Sequence, residues 1–131
     1  MIGLLFHESY SVSININNIR NNKGHIRLSV FTSEESFENR KPIMKKSYRK
    51  HNIQNNKLKA TVHLKSGIYG ISILDDEDDD KKMKYNFLGM PTEGFGFAAY
   101  YHSSMKKPKF DDFKFLIEDK PLNFSSKMRY L

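Results

Sequence analysis

Six stretches of the chain alternate apolar and polar residues with a period of two. They are Tyr10, Val12, Ile14, Ile16; Ile26, Leu28, Val30; Leu58, Ala60, Val62, Leu64; Tyr69, Ile71, Ile73; Phe113, Phe115, Ile117; and Leu122, Phe124, Ser126, Met128, Tyr130. Side chains of a strand point to opposite faces in turn, so this period marks strands with one face buried and one wet. A one-residue slip would move each apolar set into water, so the register is well specified. Ile43 to Lys50 alternates poorly and carries lysines, which suits an edge strand where charge discourages pairing with another chain.

Turn chemistry lies between these runs. Asn21, Asn22, Lys23 and Gly24 separate the first two, because Asn and Gly tolerate the left-handed backbone of a tight reversal. Ser66 and Gly67 precede Tyr69, and Lys120 and Pro121 separate the last two. Thr32, with Glu35 three residues on, has the pattern of a capping box opening a short helical turn over Glu34 to Phe37. The pattern predicts an all-β chain: an antiparallel β-sandwich of about seven strands, immunoglobulin-like or transthyretin-like, with one short helical turn. A length of 131 residues suits a single domain, read here as residues 10–131. Residues 1–9 form an N-terminal tip or the remnant of an export signal. Their apolar cluster, Met1 to Phe6, has no basic n-region and is shorter than the roughly 7 to 15 residues of a secretory core.

Composition sets outer bounds. There are no cysteines, which excludes a disulfide scaffold, a thiolate zinc site and a cysteine nucleophile. Mean hydropathy is −0.65, and no apolar run approaches the roughly 18 to 20 residues needed to cross a bilayer as a helix, so an integral membrane protein is not expected. The formal net charge is +7. Six of the 15 acids are consecutive, Asp75 to Asp80, leaving nine elsewhere against 22 basic residues. Between Arg40 and Leu74 nine basic residues occur with no acid. Such a stretch is either the solvated face of strands or a surface for an anionic polymer, with Lys45, Lys46, Arg49 and Lys50 as its candidates. No nucleic-acid module matches the spacing, and a specific nucleic-acid partner is not expected.

The acidic run carries the clearest chemistry. Adjacent carboxylates repel, and a fold tolerates them if the loop extends into water or a cation sits among them. With Asp76 as the first position, Asp76, Asp78 and Asp80 fall on alternate residues that a tightly coiled loop turns inward, with the backbone carbonyl of Lys82 at the seventh. This resembles the first half of an EF-hand-type calcium loop. Lys81 stands where the sharp turn wants Gly, Lys84 at the ninth position, and Phe87 where a bidentate Glu would be. Asn86 and Glu93 are the candidates to complete the shell. The other reading is a solvated loop neutralised by Lys81, Lys82 and Lys84.

A second block, Asn86 to Phe97, reads NFLGMPTEGFGF. It lacks the patterns of a phosphate loop and precedes no helix, and it is expected to fold a long excursion back over the sheet end beside the acidic loop. Phe95 and Phe97 flank a glycine on one face, which places at least one in the core.

The order of these features is similar to the DUF2141 family of small bacterial proteins: a hairpin around Arg20 to Gly24, Val30 and Phe31 before a short helical turn, Gly67 and Tyr69 leading to the acidic loop, then NFLGMPTEGFGF and Lys109 to Phe115. The resemblance runs from about Ser11 to Tyr130. It implies an exported β-sandwich protein of the bacterial envelope, periplasmic or extracellular, with no assigned activity and commonly made with a signal peptide. The family loop typically reads DENGNGKLDTNFLG. Its first Asp falls on Asp76, its first two Asn on Asp78 and Asp80, and its final Asn on Asn86. Its glycines become Asp79 and Lys81, and its second Asp becomes Lys84. The loop here is more acidic early and less acidic late.

Catalytic patterns are weak. His7, His25, His51, His63 and His102 show no metal spacing, and His25 and His63 fall on polar strand faces. Ser103 and Ser104 follow His102 without a nucleophile elbow. Carboxylates in one loop do not flank a glycosidic bond from two sides. The sequence therefore predicts a non-enzymatic exported binding or structural module, with calcium as the candidate cofactor and an envelope or extracellular partner of unknown identity. The alternative is a basic-surface adaptor for an anionic polymer or envelope component, its acidic loop solvated.

Overall fold

The computed structural model describes residues 8–51, 53–81, 84–85 and 89–131. Its elements in chain order are β1 (Ser9–Asn17), β2 (His25–Phe31), α1 (Glu34–Glu38), β3 (Met44–Arg49), β4 (Leu58–Lys65), β5 (Gly67–Asp76), β6 (Gly94–Phe97), α2 (Phe110–Phe113), β7 (Phe115–Ile117) and β8 (Leu122–Lys127). One sheet has the order β4-β1-β8; the other runs β3-β2-β5-β6, with β7 also pairing β5. The alternating residues of both sheets meet between them: Val12, Ile14 and Ile16 of β1, Ala60, Val62 and Leu64 of β4, Ile26, Leu28 and Val30 of β2, and Tyr69, Ile71 and Ile73 of β5 are all buried in one cluster. This is the β-sandwich that the period of two predicts.

Among the described residues there are eight strands and two helical turns. Phe113, expected in a strand, lies in α2, and the strand begins at Phe115. The sandwich also contains a parallel pair, β1 with β8, inside a fold expected to be antiparallel throughout. α1 begins at Glu34 as expected and runs one residue further, to Glu38, but its N-cap is Ser33 rather than Thr32. The Ser33 hydroxyl accepts from the Ser36 backbone N–H (3.0 Å) and the Ser36 hydroxyl from that of Ser33 (3.1 Å), the reciprocal pattern of a capping box. The lysine-bearing β3 is the edge of its sheet, where its exposed charges discourage further pairing.

A second core forms on the outer face of the five-stranded sheet. Phe31, Phe37, Met90, Phe95, Phe97, Phe110 and Phe113 are buried there under α1 and α2. The Phe113 ring centroid lies 4.5 Å from that of Phe97 and 5.0 Å from that of Phe37, within the range of favourable aromatic packing. β5 is consequently buried on both faces from Tyr69 to Asp76. That double burial carries the end of β5, and the acids that follow Leu74, into the structured part of the molecule.

Candidate metal centre

Register positions the acids. β5 continues past Leu74, so that Asp75 pairs with Ile26 on one side and Gly94 on the other, and Asp76 pairs with His25. The strand's alternation then sends Asp75 to the inner face and Asp76 to the outer face. The turn at the head of the β2 strand is close: Gly24 has φ +74°, and a Cβ there would lie 2.0 Å from the Asp76 carbonyl oxygen. Only glycine permits that approach.

Three of the six acids are taken up singly by neighbouring groups. Asp75 is fully buried and bonded to the ammonium of Lys50, itself fully buried, and to the Tyr130 hydroxyl at 2.5 Å. Burial raises the Asp75 pKa, while the hydrogen bonds from Lys50 and Tyr130 oppose the rise. Glu77 accepts from Arg20 Nε at 2.9 Å and from the Asn21 amide, and the Arg20 hydrogen bond holds its carboxyl below the ordinary range. Asp79 meets Arg27 at 2.6 Å, with His25 Nδ1 2.8 Å away.

The alternate three converge. Asp76, Asp78 and Asp80, together with Glu93, each place one carboxylate oxygen within 4.8 Å of the others. Asp76 is fully buried and organises the loop: its Oδ2 accepts from Arg27 Nε (2.7 Å) and the Lys81 backbone N–H (2.9 Å), and its Oδ1 from the Asp80 backbone N–H (3.2 Å). Those backbone bonds coil the chain, and Asp79 and Lys81 take the left-handed conformation at φ +59° and +64°. Lys81 thus makes the turn that a glycine would make at less strain. Glu93 arrives from the residue before β6, and its Oε1 is buried with no hydrogen-bond partner among the described residues. Burial, and then the charges of Asp78, Asp76 and Asp80, push its pKa up to about 7. Lys84 Nζ sits at the rim, 3.1 Å from Asp80 and 3.4 Å from Asp78.

Hard oxygen donors of this kind suit calcium, which takes six to eight of them in flexible geometry. The buried, unpartnered Glu93 oxygen and the mutual repulsion of the four carboxylates are what a dication among them would compensate. Two further candidates for the shell, Lys82 and Asn86, lie outside the described residues.

The four basic candidates are dispersed. Lys45 and Arg49 share the outer face of β3, while Lys46 turns to the other side, donating to the Thr61 carbonyl oxygen at 2.6 Å. Lys50, grouped with them on sequence, is a correction: it is buried against Asp75 and Asn21, because the inward-facing Asp75 carboxylate needs a counter-charge. His102 is also accounted for, its ring nitrogens meeting the Tyr100 hydroxyl (3.0 Å) and the Lys106 carbonyl oxygen. Arg27 is the residue that sequence reasoning passed over. It reads as one polar strand residue among many, and only the pairing of β2 with β5 brings it to Asp76.

Among the described residues no helix is long and apolar enough to cross a membrane. No curated protein and no solved structure gives a significant match to the chain. Residues 14–125 match the family described as "Uncharacterized protein conserved in bacteria (DUF2141)", and over most of its length the chain therefore belongs to the DUF2141 family.

Proposed function

We propose that this protein is a non-enzymatic calcium-binding β-sandwich module, exported to the bacterial envelope or beyond. Asp76, Asp78, Asp80 and Glu93 would hold the ion, which fixes the segment between β5 and β6 against one end of the sandwich. The observation that carries the reading is convergence: Asp76, Asp78 and Asp80 bring carboxylate oxygens within 4.8 Å of one another and of Glu93, whose Oε1 is buried without a hydrogen-bond partner among the described residues, while Asp75, Glu77 and Asp79 turn away to Lys50, Arg20 and Arg27. A merely solvated loop has no reason to draw in a fourth carboxylate, with one oxygen buried and unpartnered among the described residues, from the segment just before β6. Lys84 then acts as a rim counter-charge that calcium displaces or shares.

Thermal unfolding of chelator-treated protein titrated with calcium tests the proposal. A ligand that binds only the folded state adds about 2.7 kcal/mol at a hundredfold excess over Kd, a rise of several degrees in Tm. Asp78→Asn should weaken that rise at equal calcium. An unchanged Tm at millimolar calcium would reject the reading.

A further inference from the structure

Beside the carboxylate cluster, on the same outer sheet face, lies an open cavity of about 430 Å³. This falls within the size range of small-molecule sites, roughly 300 to 1,000 Å³. Its floor is apolar and largely aromatic, formed by Phe31, Phe37, Leu74, Phe95 and Phe97, with Ser29 and Ser72 between them. The strand register explains the arrangement: Ser29 pairs with Ser72, and Ser72 in turn with Phe97, while Leu74 pairs with Phe95, so these residues share one face. Small side chains in the middle of an otherwise bulky row leave the hollow.

The rim is cationic. Arg27, Arg40, Lys45, Lys81 and Lys107 all line the cavity, and no Asp or Glu does. Three of these charges are already engaged. Arg27 holds Asp76 and Asp79, Lys107 lies 3.1 Å from Glu38, and the Arg40 guanidinium stacks 3.9 Å above the Tyr85 ring. Lys45 and Lys81 have no ion-pair partner, and every acidic residue of the chain lies among the described residues. An apolar floor under two uncompensated lysines is complementary to a molecule with an apolar body and one anionic end.

We propose that this cavity binds a medium-chain fatty carboxylate, its acyl chain over Leu74, Phe95 and Phe97 and its carboxylate between Lys45 and Lys81. An apolar floor under a cationic rim distinguishes this ligand from a free inorganic anion, which would gain nothing from the aromatic rings, and from a neutral lipid, which would leave the lysines unmatched.

The cavity adjoins the calcium centre, sharing Arg27 and Lys81 with it but none of the carboxylates, and the test is run in chelator so that failure of either proposal leaves the other standing. Decanoate, decanol and decyltrimethylammonium are titrated by calorimetry into the full chain below their micellar concentrations. Decanoate should bind saturably, one per chain, and at least about tenfold more tightly than either analogue, a difference of about 1.4 kcal/mol or more. Lys45→Glu combined with Lys81→Glu should abolish that preference, and Ser72→Leu, which fills the hollow, should weaken all binding. Each variant's Tm is measured alongside, and Lys45→Gln provides a milder version at the exposed edge strand. Equal binding of the three probes, no binding of decanoate at millimolar concentration, or decanoate binding undiminished by the lysine changes would overturn the proposal.

Discussion

At the scale of single residues, Glu93 is the most informative group. Its folded pKa of about 7 stands above the ordinary 4.5 because burial and three carboxylates disfavour its charge. Between those values the folded, metal-free protein holds more proton than the unfolded chain. The stability linked to this group is therefore fully present below about pH 4.5 and lost as pH rises through about 7. Glu93→Gln should flatten that decline and raise stability at pH 8 in chelator by on the order of 1 kcal/mol, since the group is partly screened by solvent. The same change should reduce the calcium-induced rise in Tm. Denaturant titrations at pH 5 and pH 8 check the first effect, and a steeper decline in the variant would contradict it. Lys50 makes the opposite case. Lys50→Met strands the buried Asp75 carboxylate and should cost about 3–5 kcal/mol, whereas adding Asp75→Asn should recover much of the loss. Urea unfolding of the single and double variants checks this; equal losses would mean that the two groups are not coupled. Neither environment was legible in the sequence. Lys50 sits in a basic stretch and Asp75 in an acidic one, and nothing local says that they meet inside.

At the scale of elements, strands with clean alternation were readable because burial of one face is a property of each segment alone. The edge position of β3 was readable for the same reason, since its lysines are unsuited to a paired interior. β6 was read only as far as Phe95 and Phe97 sharing a face, because Gly94–Phe97 is four residues long, buried throughout, and has glycines where a wet face would show polar side chains. α2 was missed because its four residues are fixed by tertiary contact, with the Phe110 N–H donating to Glu34 Oε1 at 3.1 Å. The parallel pairing of β1 and β8 follows from which strand returns to which edge, information that no single segment holds. Gly24 stands in the connection from β1 to β2, which crosses from one sheet to the other rather than closing the hairpin expected from the sequence, and it provides an element-scale test. Gly24 combines φ +74° with backbone contact to Asp76. Gly24→Ala should destabilise by at least about 1–2 kcal/mol from the left-handed conformation alone. It should also weaken calcium binding, because it displaces the chain at the first ligand. Unfolding and calcium titration of the same variant check both effects; intact stability would contradict the close approach.

At the scale of the whole molecule, one sheet face carries two features of different chemistry, a carboxylate cluster and a cavity. At its end, register sets oxygen donors from β5, from the loop after it and from the residue before β6 around one point. Beside them, the same strands turn small and aromatic residues outward under a cationic rim. The spacing of Asp76, Asp78 and Asp80 announced the first because alternate residues of a coiled loop converge, and Glu93 could be named because the glycine-rich block had to return beside that loop. The cavity was invisible in the sequence, since its walls come from β2, β3, β5, β6 and the segments over them. The two sites share Arg27, which lines the cavity and also holds Asp76.

Crystals grown with calcium and measured for anomalous scattering test the central claim most directly. A single peak is expected about 2.3–2.6 Å from carboxylate oxygens of Asp76, Asp78, Asp80 and Glu93. Featureless density between those side chains at millimolar calcium, with the Lys84 ammonium still bridging Asp78 and Asp80, would contradict it.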